Sequence, residues 1–400
     1  MTPHDDAESS AAAEQSAAAE HSARLRELLA AEIDAAGGWL SFERFMDLAL
    51  YAPGLGYYSG GAQKLGEGGD FTTAPEVSRL FGACVAVQCA EVLRDLSSGS
   101  VMEIGAGTGR LAADILARLE TLSQLPEKYW ILEVSADLRQ RQRMHLEKRL
   151  PHLLHRVQWL DRPPEESFDG VILGNEVLDA LPVARFRWGS SAVEELGVEI
   201  GGGARHREFA WGARPGSAAM LHTCRELSQA GGPWDDGYVS EYCPRLSAWT
   251  RAVTQPLRRG AVLWFDYGLP RAQYYLPERH EGTLLCHFRQ RIGRDPFANI
   301  GLQDIGAWVD FTRVAEASRD AGYELAGFTT QAHFLAGLQI DQEMRLAARG
   351  DANQFARLAN QARQLLMPGE MGERFKAMAW LRGFDLPLSG FGLLDLRHSL

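Results

Sequence analysis

The sequence is poor in cysteine. Cys84, Cys89, Cys224, Cys243 and Cys286 make an odd set of five with no C-x-x-C spacing. That excludes a disulfide framework and a zinc site, and leaves small buried thiols in a reducing compartment as the expectation. Surplus positive charge is absent too: 41 Lys plus Arg against 52 Asp plus Glu give a net charge of −11, which disfavours a nucleic-acid partner. No apolar run approaches the roughly 20 residues of a membrane-spanning helix. Residues 1–22, rich in Ala, Ser and Glu, lack the basic start and apolar stretch of an export signal and the arginines of a mitochondrial presequence. A disordered, solvated tail and a cytoplasmic protein are therefore expected. There is no G-x-S-x-G elbow and no P-loop lysine, which argues against hydrolase and kinase chemistry. His280, His287 and His333 stand too far apart to share a metal, and no metal site is expected.

What the chain does have is Val-Met-Glu-Ile-Gly-Ala-Gly-Thr-Gly at 101–109. Val101–Ile104 reads as an apolar strand. Gly105, Gly107 and Gly109 then let the backbone turn sharply and approach a ligand with no Cβ in the way. A helix follows, with Leu111, Ile115, Leu116 and Leu119 on one face. A dinucleotide fingerprint competes for this pattern, but the position it reserves for a small residue, packed between helix and strand, is held by Arg110. Glu103, two residues before the first glycine, suits a cationic sulfonium and amino acid better than a pyrophosphate. The run is thus read as a site for S-adenosylmethionine.

Further apolar runs bounded by turn residues, at Trp130–Val134, Val157–Leu160, Gly170–Leu173 and Ala261–Phe265, alternate with helical stretches. The alternation specifies an α/β fold, a Rossmann-like doubly wound parallel sheet with ligands at the carboxyl ends of its strands. Ser22 can cap a helix ended by Gly37-Gly38, and a second helix is expected from Ser41 to Leu50. The glycine-rich stretch from Ala52 to Asp70 reads as a long mobile loop. Thr73 and Glu76 are spaced as a capping box for the helix beyond it. Residues 183–212 read as a β-hairpin, and Tyr323–Phe328 and Phe375–Leu381 as a closing hairpin interrupted by a helical cap. The expected divisions are a disordered tail (1–22), an N-terminal helical and glycine-rich segment (23–98), a core (99–330) with an insertion at 183–240, a helical insertion (331–373), and a closing strand with C-terminal tail (374–400).

Glu133 ends the second strand, where a carboxylate can accept both ribose hydroxyls, and Asp161 ends the third, where it can accept the adenine amine. The fourth strand runs into Gly174–Pro182. There Glu176 and Asp179, three residues apart, share a face of a helical turn and can clamp a cationic group. Asp266-Tyr267-Gly268 can form the opposite wall, with Glu241-Tyr242 preceding it. A guanidinium nucleophile must lose a proton, and a carboxylate can orient it and take that proton. The plainer alternative is a helix cap at Glu176 and a surface ion pair at Asp179. The absence of Asn-Pro-Pro-Tyr disfavours the exocyclic amines of nucleobases.

These motifs resemble those of the MidA-like family of S-adenosylmethionine-dependent methyltransferases, which includes a mitochondrial complex I assembly factor. The matching stretches are Gly56-Tyr57-Tyr58, Gly69–Ser78 with Phe81-Gly82, Glu103–Gly109, Glu133 with Ser135, Gly174–Pro182, Asp266-Tyr267-Gly268, Gly282-Thr283-Leu284, Asp295-Pro296, Met371-Gly372 and Phe375-Lys376. The resemblance implies a class I methyltransferase fold, S-adenosyl-L-methionine as donor and S-adenosyl-L-homocysteine as product. It carries cofactor contacts onto Glu103, Gly105, Gly107, Gly109 and Glu133, places Gly69, Asp70 and Asn175 beside them, and lays the Gly69–Glu76 stretch over the mouth of the site. It implies a protein arginine as acceptor, in the mitochondrial member a complex I subunit that is symmetrically dimethylated; on the residue reading above, Glu176 and Asp179 are the expected catalytic residues that orient the guanidinium, with Asp266 or Tyr267 helping. A cofactor-binding assembly factor for a respiratory complex and a small-molecule methyltransferase remain alternatives, and the oligomeric state stays open.

Overall fold

The computed structural model describes residues 3–60, 72–201 and 208–400. The chain opens with α1 (Pro3–Ala35), β1 (Leu40–Ser41) and α2 (Phe42–Tyr51), and α3 (Ala74–Val77) and α4 (Arg79–Asp95) lead into the core. There β2 (Ser100–Ile104), α5 (Arg110–Thr121), β3 (Tyr129–Leu132), α6 (Ala136–Arg149), β4 (Val157–Leu160) and β5 (Phe168–Asn175) alternate. An insertion follows with β6 (Ala184–Trp188), β7 (Val193–Gly201), β8 (Glu208–Pro215), α7 (Ala218–Gly231) and β9 (Val239–Tyr242). After α8 (Leu246–Thr254) the core resumes at β10 (Leu257–Leu269). Short elements α9 (Arg271–Tyr274), β11 (Leu285–Phe288), β12 (Arg291–Gly293), β13 (Asp304–Gly306) and β14 (Val309–Asp310) precede α10 (Phe311–Asp320) and β15 (Glu324–Thr330). The cap is α11 (Gln331–Gly337), α12 (Ile340–Ala348) and α13 (Ala352–Leu366), and β16 (Phe375–Arg382) closes the fold.

The main sheet has the order β15-β16-β10-β5-β2-β3-β4, with β14 beside β10. Strands β4, β3, β2, β5 and β10 are parallel, and β16 runs antiparallel to both its neighbours. Both faces of the central strands are covered, which is why 170–173 and 261–265 read as unbroken apolar runs. Along β10, Ala261, Leu263 and Phe265 pack with α4, α5 and the cap helices, while Val262 and Trp264 pack on the other face with Trp380, Phe311 and Val314. The chain order reverses at β2, between β5 and β3, and that switch point opens a crevice at the strands' carboxyl ends. This is the class I methyltransferase arrangement that the strand pattern implied.

Three local expectations change. The first helix starts at Pro3 where a disordered tail was expected through residue 22; Ala and Glu are strong helix formers, and the composition that lacks a core face still favours a helix. The 183–212 hairpin is part of a five-stranded antiparallel sheet in which β7 pairs with β8, β6 and β1, and β6 pairs with β9. Cross-strand partners from residues 40 and 239 onward were not visible to a local pattern. Thr73 makes no side-chain cap; α3 stops after one turn and Ser78 caps α4 instead, its Oγ accepting from the Leu80 amide. Residues 61–71 of the glycine-rich loop lie outside the described residues. Ser41 does cap α2, and the five cysteines are free, four of them buried. Among the described residues no helix is long and apolar enough to cross a membrane.

Gly170 and Gly260 face each other on β5 and β10 with φ of 148° and 144°, and a Cβ on Gly260 would lie 1.9 Å from the Gly170 carbonyl oxygen. Gly260→Ala is expected to cost about 2–4 kcal/mol from strain and overpacking together. Gly237, with φ of 93° and nothing within 4 Å, carries only the strain, so Gly237→Ala costs about 1 kcal/mol. Urea denaturation of the two variants measures the difference.

Candidate active site

At the end of β2 the backbone enters three left-handed positions, Gly105 (φ 66°), Gly107 (φ 53°) and Gly109 (φ 83°), before α5 begins at Arg110. Glycine is required twice over at Gly109, where a Cβ would also meet the α6 backbone, 3.1 Å from Gln142 Cα. The fully buried Gln142 braces the turn. Its side-chain amide nitrogen, Nε2, donates to the Gly107 carbonyl (3.0 Å) and to Glu133 Oε2 (3.1 Å), while its Oε1 accepts from Trp159 Nε1 (2.9 Å). From the opposite side the largely buried Glu76 accepts from Thr108 Oγ1 and forms an ion pair with Arg110. The arginine that counts against a dinucleotide site thus latches α3 onto the glycine turn. Neither Gln142 nor this use of Glu76 was read from sequence; each is a contact between segments about 35 positions apart.

A cavity of about 370 Å³ opens over this turn, within the range of roughly 300–1,000 Å³ typical of small-molecule sites. Of the expected residues, Glu103, Gly105, Gly107, Glu133, Asn175 and Glu176 line it. Gly109 sits behind it at the start of α5. Gly69 and Asp70 lie outside the described residues. Asp161 is exposed in a different cleft with Lys128, Trp130 and Gln158, because β4 ends at Leu160, whose carbonyl accepts from Glu133, and the chain turns off there toward β5. Asp179, Asp266 and Tyr267 do not line the cavity but stand behind Glu176.

The two carboxylates of the glycine-turn end differ in setting. Glu103 Oε2 accepts from Tyr129 Oη (2.6 Å), and burial pushes its carboxyl up to about 7. Glu133 is also raised by burial, an effect opposed by the Ser135 amide (2.9 Å) and Gln142. Asn175 Oδ1 is buried and has no hydrogen-bond partner among the described residues, which suits it to accept from a ligand. Left-handed backbone, two carboxylates and an unpaired acceptor fit an adenosyl amino acid that brings hydroxyls and an ammonium group.

Beyond Asn175 the chain forms an acidic, aromatic chamber. Glu176 is held at φ 53°, its amide donating to the Phe265 carbonyl (2.8 Å). Asp266, wholly buried, turns away from the cavity. Its Oδ2 accepts from the amides of Val177 (3.1 Å), Leu178 (2.9 Å) and Asp179 (3.3 Å), and its Oδ1 from that of Tyr267 (2.9 Å). Rather than forming a wall, it fixes the turn that carries Glu176 and Asp179. The Tyr267 hydroxyl lies against the Asp179 carboxyl. Tyr51 and Tyr58 stack at 5.6 Å and line the cavity. Tyr51 donates to the Ala180 carbonyl (2.9 Å), and Tyr58 to the buried Asp304 (3.0 Å). Burial first, then the Asp179 charge, holds Glu176 and Asp266 well above the usual carboxylate range, and burial pushes Asp179 up to about 6. None of these three has an arginine or lysine partner among the described residues. Across the cavity Arg245 is taken by Glu43 (2.8 Å) and Asp47 (2.9 Å). Tyr51 and Asp304 were missed by sequence reasoning, and Tyr58 was noted only in a motif.

Between the ordinary glutamate value and about 7 the folded protein binds more protons at Glu103 than the unfolded chain does, so this group's contribution to stability falls as pH rises through that window. An ammonium beside it demands the carboxylate. Binding of S-adenosylhomocysteine near neutral pH is therefore expected to release protons at this site, and Glu103→Gln to remove that share. Calorimetry in buffers of different ionisation enthalpy measures it.

A family model of S-adenosyl-L-methionine-dependent methyltransferases matches residues 84–329. The zebrafish (Danio rerio) protein arginine methyltransferase NDUFAF7, mitochondrial, is 28% identical over 92% of each chain, and the Caenorhabditis elegans homolog is 26% identical over 89% of this chain and 85% of its own. A Burkholderia thailandensis protein crystallised with S-adenosyl-homocysteine is 43% identical, with a TM-score of 0.90 over 96% of this chain and 98% of that one. The curated relatives are named as mitochondrial, which overturns the cytoplasmic expectation; the composition of residues 1–22 spoke only to export and presequence signals and does not fix a compartment. Fold, glycine turn, cavity and these likenesses agree, and the chain belongs to the S-adenosyl-L-methionine-dependent methyltransferases of the MidA-like family.

Proposed function

We propose that the chain methylates a guanidinium nitrogen of arginine in a protein. The observation that carries this reading is the Glu176 carboxyl on the wall of the cofactor cavity, beside Tyr51 and Tyr58 and with no arginine or lysine partner among the described residues. A planar cation beside Glu176 favours the ionised carboxylate that burial and the Asp179 charge disfavour, and Tyr51 and Tyr58 supply an aromatic wall to the same cavity. The relatives named protein arginine methyltransferases support the same acceptor.

Bound S-adenosylmethionine supplies an electrophilic methyl on a positively charged sulfur. Glu176, on the cavity wall, accepts an N–H of the guanidinium and turns a nitrogen lone pair toward that methyl. Asp179, held by the Asp266-capped turn and faced by Tyr267, supports it from behind. As the nitrogen–carbon bond forms, the carbon–sulfur pair passes to sulfur, and the proton lost by nitrogen goes to Glu176. The resemblance to the complex I assembly factor makes a respiratory-complex subunit the first acceptor to examine.

Glu176→Gln is expected to keep S-adenosylhomocysteine affinity within a few-fold while lowering methyl transfer to arginine peptides by about 10²–10⁴-fold. Calorimetry and transfer of labelled methyl measure the two arms. Unaltered turnover would remove Glu176 from the mechanism. Mass spectrometry of the proteome with and without the gene, read for lost methyl-arginine, identifies the acceptor.

A further inference from the structure

A second cleft, of about 700 Å³, lies on the far side of the Glu76 latch and shares Pro75, Glu76 and Arg110 with the cofactor cavity. Its charge is opposite to that of the chain as a whole. Arg79, Arg110, Arg149 and Arg357 line it against two carboxylates, Glu76 and Asp114. Both carboxylates are already engaged, Glu76 by Arg110 and Asp114 by Arg149 (2.7 Å). That leaves Arg79, which donates to the Ala347 carbonyl (2.9 Å), and Arg357 with no ion pair among the described residues. The His145 ring also lines the cleft, and its buried Nε2 has no hydrogen-bond partner among the described residues. Burial, then Arg149 and Arg110, push His145 below its ordinary value, as a net positive local field requires.

The wall opposite the latch is a face of α13, where Gln354, Arg357, Gln361 and Gln364 recur at helical spacing. Ser78 Oγ donates to Gln361 Oε1 (2.9 Å), which fixes this helix against the junction of α3 and α4. Amide side chains beside unpaired guanidinium groups suit an extended peptide: the amides meet its backbone, the arginines its carboxylates.

We propose that this cleft holds an acidic segment of the protein substrate that flanks the arginine to be methylated. The proposal rests on the protein-arginine reading above. The shared latch places the flanking segment one side-chain layer from the glycine turn, so substrate charge is read beside the cofactor cavity but outside it. A nucleic acid would need a broad basic surface, whereas the cleft's surplus is two arginines.

The test uses the full-length protein and single-arginine peptides whose flanking residues are Asp and Glu, or Asn and Gln. The acidic peptides are expected to show a KM roughly tenfold lower at similar kcat, the value of one or two charge-assisted hydrogen bonds, with the advantage shrinking as salt rises. The Arg79→Ala, Arg357→Ala double variant should lose that advantage while keeping its S-adenosylhomocysteine affinity and its rate on neutral peptides. Equal KM for both peptide sets, or an advantage that survives in the double variant, overturns the cleft's role. If no peptide is methylated although S-adenosylhomocysteine binds, the arginine reading fails instead. Fluorescence anisotropy of a labelled acidic peptide then decides the cleft separately, and binding that is absent or independent of Arg79 and Arg357 overturns it. Displacement of that peptide by inorganic phosphate at lower concentration than by unlabelled peptide would assign the site to a small anion and likewise overturn it.

Discussion

The buried carboxylate of Asp266 is the constraint on which the site depends. One of its oxygens gathers three successive amides, Val177 to Asp179, and the other takes the amide of Tyr267, so that the end of β10 and the turn after β5 become one unit. The turn needs such support because Glu176 sits in a left-handed conformation unfavourable to a residue with a Cβ. The strain is local, and its effect is to bring Glu176 onto the cavity wall while Asp179 stays behind it. The peptide dipoles gathered around this carboxyl also offset part of the burial cost that the neighbouring Asp179 and Glu176 increase.

The glycine turn is organised in the same way, by side chains that belong to other segments. Glu76 reaches it from α3 and Gln142 from α6, so the two helices that flank the cofactor cavity are each hydrogen-bonded to the loop between them. Arg110 illustrates how one substitution in a common motif changes its chemistry. A small residue there would permit closer helix–strand packing, whereas the guanidinium instead holds a carboxylate over the first turn of α5.

The core was legible because its signals are local. Continuous apolar runs at 170–173 and 261–265, and three alternating glycines that all require positive φ, specify their own geometry. The carboxyl-end placement of Glu103, Glu133, Asn175 and Glu176 followed from strand order alone. What escaped was set by distance along the chain: the Tyr58–Asp304 hydrogen bond spans 246 positions, and no periodicity within either segment announces it. Asp266 was identified as part of the site but as a wall, because a sequence shows that a carboxylate ends a strand and not which amides it will face. Asp161 failed by the opposite error, since one residue past a strand end is enough to direct a side chain into another cleft.

The antiparallel strand β16 lies inside the sheet, between β10 and β15, although it follows the three cap helices in the chain. Trp264 and Trp380, both fully buried, meet only through that late arrival. During synthesis β10 therefore waits with one flank unpaired until the last tenth or so of the polypeptide has emerged, a long-range closure that slows folding and leaves a sticky edge for a holdase to guard.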